Sequence, residues 1–203
     1  MRLVPFALPL LLATVTATAQ APMPVSGTAD PSRVAAGTYQ ADSAHTQIAW
    51  SVNHLGFNAF HGLIGGATGT LTIDPARLAD ATVSITIPIA GVVTTSAALD
   101  KHLLSPDFFD AANFPTATFK STSVAVDGTR ATITGALTLR GVTRPVTLDA
   151  RFVGAGPNPM SKAATVGFEA TTTIKRSDFG ISFGVPAGSD AVPLAITVAF
   201  EKA

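Results

Sequence analysis

Four histidines, His45, His54, His61 and His102, are the side chains of this sequence best suited to acid–base or metal chemistry near neutral pH. No two of them lie at the i, i+2 or i, i+4 spacing that brings a local pair of metal ligands together. A buried neutral histidine that is hydrogen-bonded to a neighbour is more common than a metal ligand. A metal-binding protein or enzyme that uses His45, His54 or His102 is therefore kept as an alternative only.

Other signs of catalysis are weak. The sequence has no phosphate-binding Gly-rich loop with a lysine and no paired carboxylates beside an apolar run. It has no cysteine, which excludes thiolate chemistry, cysteine metal sites and disulfides. The densest charged cluster of the second half, Lys175 to Asp178, is either a solvated loop or a contact for a polar lipid head group. We therefore predict no catalysis and no cofactor.

The composition indicates an apolar partner. Charged residues make up 13% of the chain and hydrophobic residues 47%, whereas a typical soluble domain is about 25% charged. Lysine and arginine balance aspartate and glutamate at a net charge of zero. Without a basic run the chain cannot neutralise a row of phosphates, so we expect no nucleic-acid partner.

The N-terminus is typical of an exported protein. An apolar stretch from Leu3 to Val15 precedes the small residues Ala17–Ala19, which predicts a signal peptide over residues 1–19. Residues 20–36 are rich in Ala, Pro, Ser and Gly and predict a flexible leader before one domain over 37–203. We expect a periplasmic location, with secretion as the alternative.

Period-two alternation of apolar and polar residues predicts strands from Tyr39 onward. Eight such segments can be counted, and Asp127-Gly128 between the fourth and fifth suits a two-residue hairpin turn. Leu99 and Leu103, after a Thr95 or Ser96 cap, predict a short helix between strands three and four; a second helix is predicted to start at Ser105-Pro106. This pattern favours an all-β, eight-stranded antiparallel barrel with a helical insertion that acts as a lid or plug; a two-sheet sandwich is the alternative.

The interior of an eight-stranded barrel is either filled by side chains or holds one slender ligand. The small residues Gly65, Gly66, Ala67 and Gly69 in the second strand favour an unfilled interior, but they also suit bulges and barrel corners. Strand parity predicts that His54 faces inward with Trp50 and Val52.

Several segments, in order, resemble one known family, the bacterial YceI-like proteins, which are lipocalin-like barrels that bind polyisoprenoids. The resemblance spans Gly37 to the C-terminus. The segments that carry it are His45–Trp50, Asn53–Phe57, Asp100–Leu103, Ser105–Asp110, Phe114–Thr122, Gly135–Val146, Gly167–Ala170 and Arg176–Gly180. It implies an eight-stranded barrel, an export signal and a buried isoprenoid of the quinone or polyprenyl type, and it does not imply catalysis.

The resemblance also implies a binding site. The side chains that we expect to contact the lipid are Trp50, Val52, His54, Phe57, Ile85, Ile87, His102, Leu103, Phe108, Phe119, Leu137, Phe168, Arg176 and Asp178. Leu99 and Leu104 stand where arginine is usual in the family, which favours a neutral, quinone-like head group over a phosphate. We expect transient membrane contact during loading, and a homodimer stays open.

A transmembrane barrel of the outer membrane is the main rival hypothesis. Eight strands and a low charged fraction suit it, but such barrels carry aromatic girdles at both interfaces. The sequence contains one Trp and one Tyr, which cannot supply two girdles.

Overall fold

The computed structural model describes residues 25–203, which form one antiparallel sheet of eleven strands and one α-helix. The strands are β1 Gly37–Ala41, β2 Gln47–His54, β3 Asn58–Gly65, β4 Thr68–Ile73, β5 Thr82–Pro88, β6 Val92–Val93, β7 Thr116–Asp127, β8 Arg130–Leu139, β9 Val142–Pro157, β10 Ala164–Lys175 and β11 Ala191–Lys202. The helix is α1, Ala97–Leu103, and short 3₁₀ turns span Pro31–Arg33, Leu78–Asp80, Ile89–Gly91 and Arg176–Phe179.

The sheet closes into a barrel because β1 pairs with both β4 and β11. The closed ring runs β1-β4-β5-β7-β8-β9-β10-β11 and back to β1, which makes eight strands. Strands β2, β3 and β6 continue β1, β4 and β5 past local bends and pair with one another and with β11. The eight-stranded antiparallel barrel predicted from the sequence is therefore confirmed.

The hairpin between β7 and β8 lies where the sequence predicts it, but its turn differs by one residue. Asp127 pairs with Arg130, so the two loop residues are Gly128 and Thr129. Gly128 has φ +57°, and a glycine at the first loop position is typical of a type II′ turn. Asp127 therefore belongs to the strand.

The insertion between the third and fourth barrel strands contains the expected helix α1, whose Ser96 hydroxyl accepts a hydrogen bond from the Leu99 amide at 3.4 Å. The second helix predicted at Ser105-Pro106 is wrong. The chain there forms turns, because the Phe109 amide donates back to the Leu103 carbonyl and caps the end of α1 instead of starting a new helix.

The insertion closes one end of the barrel. Trp50, Val92, Leu103 and Val192 form a buried cluster there, and Phe108 packs against it from the turns after α1. We call this end the helical end.

The described part of the predicted flexible leader, residues 25–36, contacts the barrel through hydrogen bonds. Thr28 exchanges two backbone hydrogen bonds with Ala155 on β9, at 3.1 and 2.9 Å. The Tyr39 hydroxyl donates to the Ala35 carbonyl at 2.7 Å. Thr28 therefore pairs with β9, because β9 extends beyond the end of β8 and leaves an edge free, although most of residues 25–36 are exposed. The predicted signal peptide and residues 20–24 lie outside the described residues.

Within residues 25–203, no helix combines the length and the apolar character needed to cross a bilayer.

Candidate functional site

The barrel encloses a cavity of about 480 Å³ between its inward-facing strand residues. Five of the residues predicted from the sequence line it: Ile85, Ile87, Phe119, Leu137 and Phe168. Further lining residues that the sequence analysis did not single out include Leu71, Ile133, Phe152, Ile196, Val198 and Phe200. The wall is almost entirely apolar.

The cavity is empty because small residues alternate with large ones along its wall. Ala150 and Ala170 pair with each other across β9 and β10, and both line the cavity. The ring centroids of Phe152 and Phe168 lie 5.8 Å apart and those of Phe168 and Phe200 lie 6.4 Å apart. These rings pack edge to face along neighbouring strands, so they cover the wall and leave the space beside the alanines unfilled.

The small residues of the second predicted strand were expected either to leave the interior unfilled or to form bulges and corners. The structure shows one residue in each role. Ala67 lines the cavity and is 1% exposed. Gly66 has φ +75° and lies at the bend between β3 and β4. Glycine is the residue that adopts this conformation without strain. Ala67 thus leaves space, whereas Gly66 makes a corner.

The cavity has its mouth at the end opposite α1. Val126 lines the cavity near the β7–β8 turn and is still 40% exposed. Leu78 of the loop between β4 and β5 borders the same end. Pro31 and Val34 of the N-terminal segment border it as well, so the segment bound to β9 forms part of the rim.

Four predicted contact residues, Trp50, Val52, Leu103 and Phe108, lie in the cluster at the helical end and do not line the cavity. The Trp50 indole lies over Gly62 of the neighbouring strand, where a Cβ would come within 2.2 Å of its ring. These side chains close the barrel rather than border the open space.

Two predicted residues lie outside the barrel. The expectation that His54 faces the barrel interior is wrong, because β2 pairs with β11 only as far as Trp50 and His54 lies near the tip of the β2–β3 hairpin, just before the turn at Leu55 and Gly56. His54 is exposed, and Phe57 is 85% exposed. Strand alternation continues to His54, but the hairpin there no longer pairs with β11 and does not border the barrel interior.

His102 lies on α1 at the helical end. Its Nε2 is 2.9 Å from the Asp107 carboxylate, and its ring contacts those of Phe108 and Phe183. Leu99 is on the same helix, and neither it nor His102 lines the cavity. Leu99 and Leu104, the two positions where arginine is usual in the family, both pack at the closed helical end and not at the mouth.

The charged cluster Lys175–Asp178 does not line the cavity, and of its charged residues Arg176 is buried whereas Lys175 and Asp178 are exposed. Arg176 is 9% exposed, and burial lowers the pKa of its guanidinium while the Asp190 carboxylate raises it. The guanidinium donates to the carbonyls of Ser189 at 2.9 Å, Ile181 at 3.2 Å, Phe183 at 2.7 Å and Gly188 at 3.4 Å. Arg176 thus holds the loop before β11, whereas Asp178 is exposed.

The segment Gly180–Gly184 has the Gly-x-Ser-x-Gly spacing of hydrolase nucleophile turns. It follows a 3₁₀ turn and leads into a loop, not from a strand into a helix as such turns do. Among residues 25–203, the hydrogen bonds of the histidine side chains are to Asp42 and Asp107, and none joins a histidine to Ser182.

Metal binding gains no support from the side-chain positions. Within the part of the chain that the structure describes, no three His, Cys, Asp or Glu residues group together as metal ligands. His45 Nδ1 lies 2.6 Å from the Asp42 carboxylate on the surface.

The polar groups of the cavity wall are few. Arg130 borders the mouth, but its guanidinium lies 3.6 Å from the Asp149 carboxylate. Thr46, just before β2, lines the cavity and is 3% exposed. Its Oγ1 is buried and has no hydrogen-bond partner among the described residues. The site is therefore an apolar compartment whose polar side chains are mostly hydroxyls.

Comparison with known proteins agrees with this architecture. The chain matches the YceI-like domain over residues 39–200. It is 41% identical over 157 residues to protein YceI of Escherichia coli O157:H7, which covers 77% of this chain and 82% of that protein. BcnA of Burkholderia cenocepacia has the same fold, with a TM-score of 0.70 at 23% identity over 78% of this chain and 98% of BcnA.

A polyisoprenoid binding domain from Saccharophagus degradans shares the fold at a TM-score of 0.62 and 14% identity, over 81% of this chain and 98% of that domain. The domain match and the identity to YceI extend over most of the barrel and agree with the resemblance seen in the sequence motifs. The chain therefore belongs to the YceI-like family.

Proposed function

We propose that this protein binds a long-chain isoprenoid lipid inside its barrel, sequesters or carries it in the periplasm, and catalyses no reaction. The observation that carries the proposal is the apolar cavity of about 480 Å³ that the side chains leave unfilled in the barrel interior. Its volume lies in the range of pockets that enclose small ligands, roughly 300–1,000 Å³. The polyisoprenoid binding domain of the same fold supports the choice of ligand class.

The apolar wall has a consequence for how such a lipid would exchange. Burying each CH₂ gains about 0.8 kcal/mol relative to water, so a chain of about twenty carbons gains about 16 kcal/mol. That corresponds to a dissociation constant of about 1 pM, which makes release into water very slow. A bilayer core is as apolar as the cavity, so transfer between them costs little. We therefore propose loading by transient membrane contact.

The polar groups near the cavity favour a neutral head group. The guanidinium of Arg130 is near the Asp149 carboxylate, and the other polar side chains on the wall are hydroxyls, such as those of Thr46 and Thr172. A hydroxyl can bind a carbonyl or hydroxyl oxygen but does not balance the charge of a pyrophosphate.

The direct test is mass spectrometry of lipid extracted from protein purified under mild conditions from the periplasm. We expect an isoprenoid with a neutral head group at a substantial fraction of one molecule per barrel. The Ala170→Leu variant, whose added carbons would occupy the cavity, serves as the control and should carry much less lipid. Recovery of no lipid, or of equal amounts from both proteins, would contradict the proposal; a pyrophosphate would contradict the neutral head group.

Membrane loading is tested with vesicles that contain a labelled isoprenoid. The lipid should reach the protein quickly when the two are mixed, and slowly when a dialysis membrane that vesicles cannot cross separates them. Equal rates in the two arrangements would show loading through water.

A further inference from the structure

Strand β3 has a free edge on the side away from β2. β6 pairs with β3 only at Leu63 and Ile64, so residues 58–62 have a neighbouring strand on one side alone. Apart from β2, the only group among residues 25–203 that hydrogen-bonds to this stretch is the Asn58 side-chain amide, which reaches the Ala59 carbonyl at 3.3 Å. The backbone N–H and C=O groups of a strand point alternately to its two sides. The free edge therefore offers unpaired donors and acceptors to a further strand.

This edge lacks the features that keep other edge strands apart. Native sheets protect an edge with charged side chains, proline or bulges. Residues 43–73, which contain β2, β3 and β4, include no Asp, Glu, Lys, Arg or Pro. β3 also pairs with β2 in a regular register along its whole length. The free edge is therefore straight, uncharged and suited to strand pairing.

Exposed apolar side chains lie at both ends of the free edge. Phe57 lies at the hairpin end, and Leu63 and Val93, which pair across β3 and β6, lie at the other end. A two-fold axis beside the edge would bring the Phe57 end of one copy to the Leu63 end of the other, so that both apolar groups are covered. A two-fold interface must be complementary to itself, and each charge near the axis meets its own copy. An uncharged edge meets no such repulsion.

We infer that the partner of this edge is a second copy of the chain, and that two β3 strands pair antiparallel about a two-fold axis to form a homodimer. A bilayer is a poor occupant, because unpaired backbone groups are costly in hydrocarbon. Residues 58–62 do not line the cavity, and the mouth lies at the end opposite α1, so pairing leaves both barrels open. The inference does not depend on which ligand the barrel binds.

The first test is sedimentation velocity of the mature protein. A contact of one strand pair is small, so the series runs from about 1 μM to about 500 μM protein. We expect a dimer whose fraction rises with concentration. Ala59→Lys/His61→Lys places like charges opposite each other across the axis and should weaken the dimer about two- to thirtyfold. Thr171→Lys/Thr173→Lys, at exposed positions of β10, which pairs with β11, adds the same charge and should change nothing.

The second test is cross-linking, which is clean because the chain has no cysteine. Ala59→Cys/His61→Cys should give a covalent dimer under mild oxidation, since facing residues of paired strands lie within disulfide reach. Thr171→Cys/Thr173→Cys should stay monomeric on a non-reducing gel.

Wild type that stays monomeric over the whole series would overturn the inference. A dimer that Ala59→Lys/His61→Lys leaves unchanged would place the interface elsewhere and overturn it as well. Thermal unfolding compares this variant with the Thr171→Lys/Thr173→Lys control. If the lysines at the edge unfold the protein, the cross-linking result decides.

Discussion

Ala170 offers the sharpest test of whether the barrel interior is empty space. It lies on β10, is 9% exposed and lines the cavity, where it pairs with Ala150 on β9. Replacing it by leucine adds three carbons to the cavity without changing the polarity of the wall. The same substitution at Ala117, which is 4% exposed and packs in the core without lining the cavity, provides the matched control.

The two substitutions should change stability in opposite directions. In the empty protein, three carbons buried in open space at Ala170 gain up to about 2.4 kcal/mol, at about 0.8 kcal/mol each. The same three carbons displace an equal number of ligand carbons, which weakens binding by up to about 2.4 kcal/mol, or roughly fiftyfold. At Ala117 the interior is already filled, and overpacking should cost about 1–3 kcal/mol.

The assay is urea unfolding of delipidated protein together with dye displacement by an isoprenoid probe. We expect Ala170→Leu to be more stable than wild type and poorer at binding, and Ala117→Leu to be less stable. Destabilisation by Ala170→Leu of the same size as at Ala117 would show that the side chains already meet across the barrel axis. The reasoning from an empty interior would then be refuted.

Three further predictions concern the parts that close the helical end. Gly62→Ala places a methyl group within 2.2 Å of the Trp50 ring and should lower the free energy of unfolding by about 1–3 kcal/mol in urea titration; an unchanged midpoint would contradict the close contact. Arg176→Met leaves the loop carbonyls unpaired and should cost about 3 kcal/mol, with faster proteolysis of residues 181–189 as the second measurement. Hydrogen bonds from the Ser177 amide and hydroxyl lower the pKa of Asp190. The Asp190 carboxylate therefore stabilises the fold fully above its pKa in the unfolded chain, about 3.9, and this stabilisation is lost as the pH falls through its lower pKa in the folded protein. Asp190→Asn should therefore make the free energy of unfolding less dependent on pH in this acid range.

The strand pattern could be predicted from the sequence because burial on one face leaves a period of two that needs no knowledge of the partner strand. The inward direction of Trp50 was predicted in this way, and its side chain is buried. The same rule fails at His54, where β2 is still a paired strand but no longer pairs with β11, so its inward-parity face does not border the barrel interior. A local pattern predicts the face of a residue but not whether that face borders the interior.

Which inward-facing residues line the cavity and which close the end of the barrel could not be predicted from the sequence. Trp50 and Phe119 both face inward, yet Trp50 closes the barrel and Phe119 lines the cavity. Which of them borders open space depends on how the insertion packs across one end, a long-range contact that alternation does not encode. The burial of Arg176 also follows from a tertiary contact, since its partners are backbone carbonyls that any sequence supplies.

The barrel interior is open toward Val126 and Val34 and blocked by the cluster around Trp50. It is a blind tunnel, so a slender molecule threads it from one side and must retrace its path to depart. The end that enters first leaves last, and the opposite end remains nearest the outside throughout the stay. The rates of entry and release would then depend on how far the open end widens, and the residence time would depend on the contacts that the bound molecule makes along the wall.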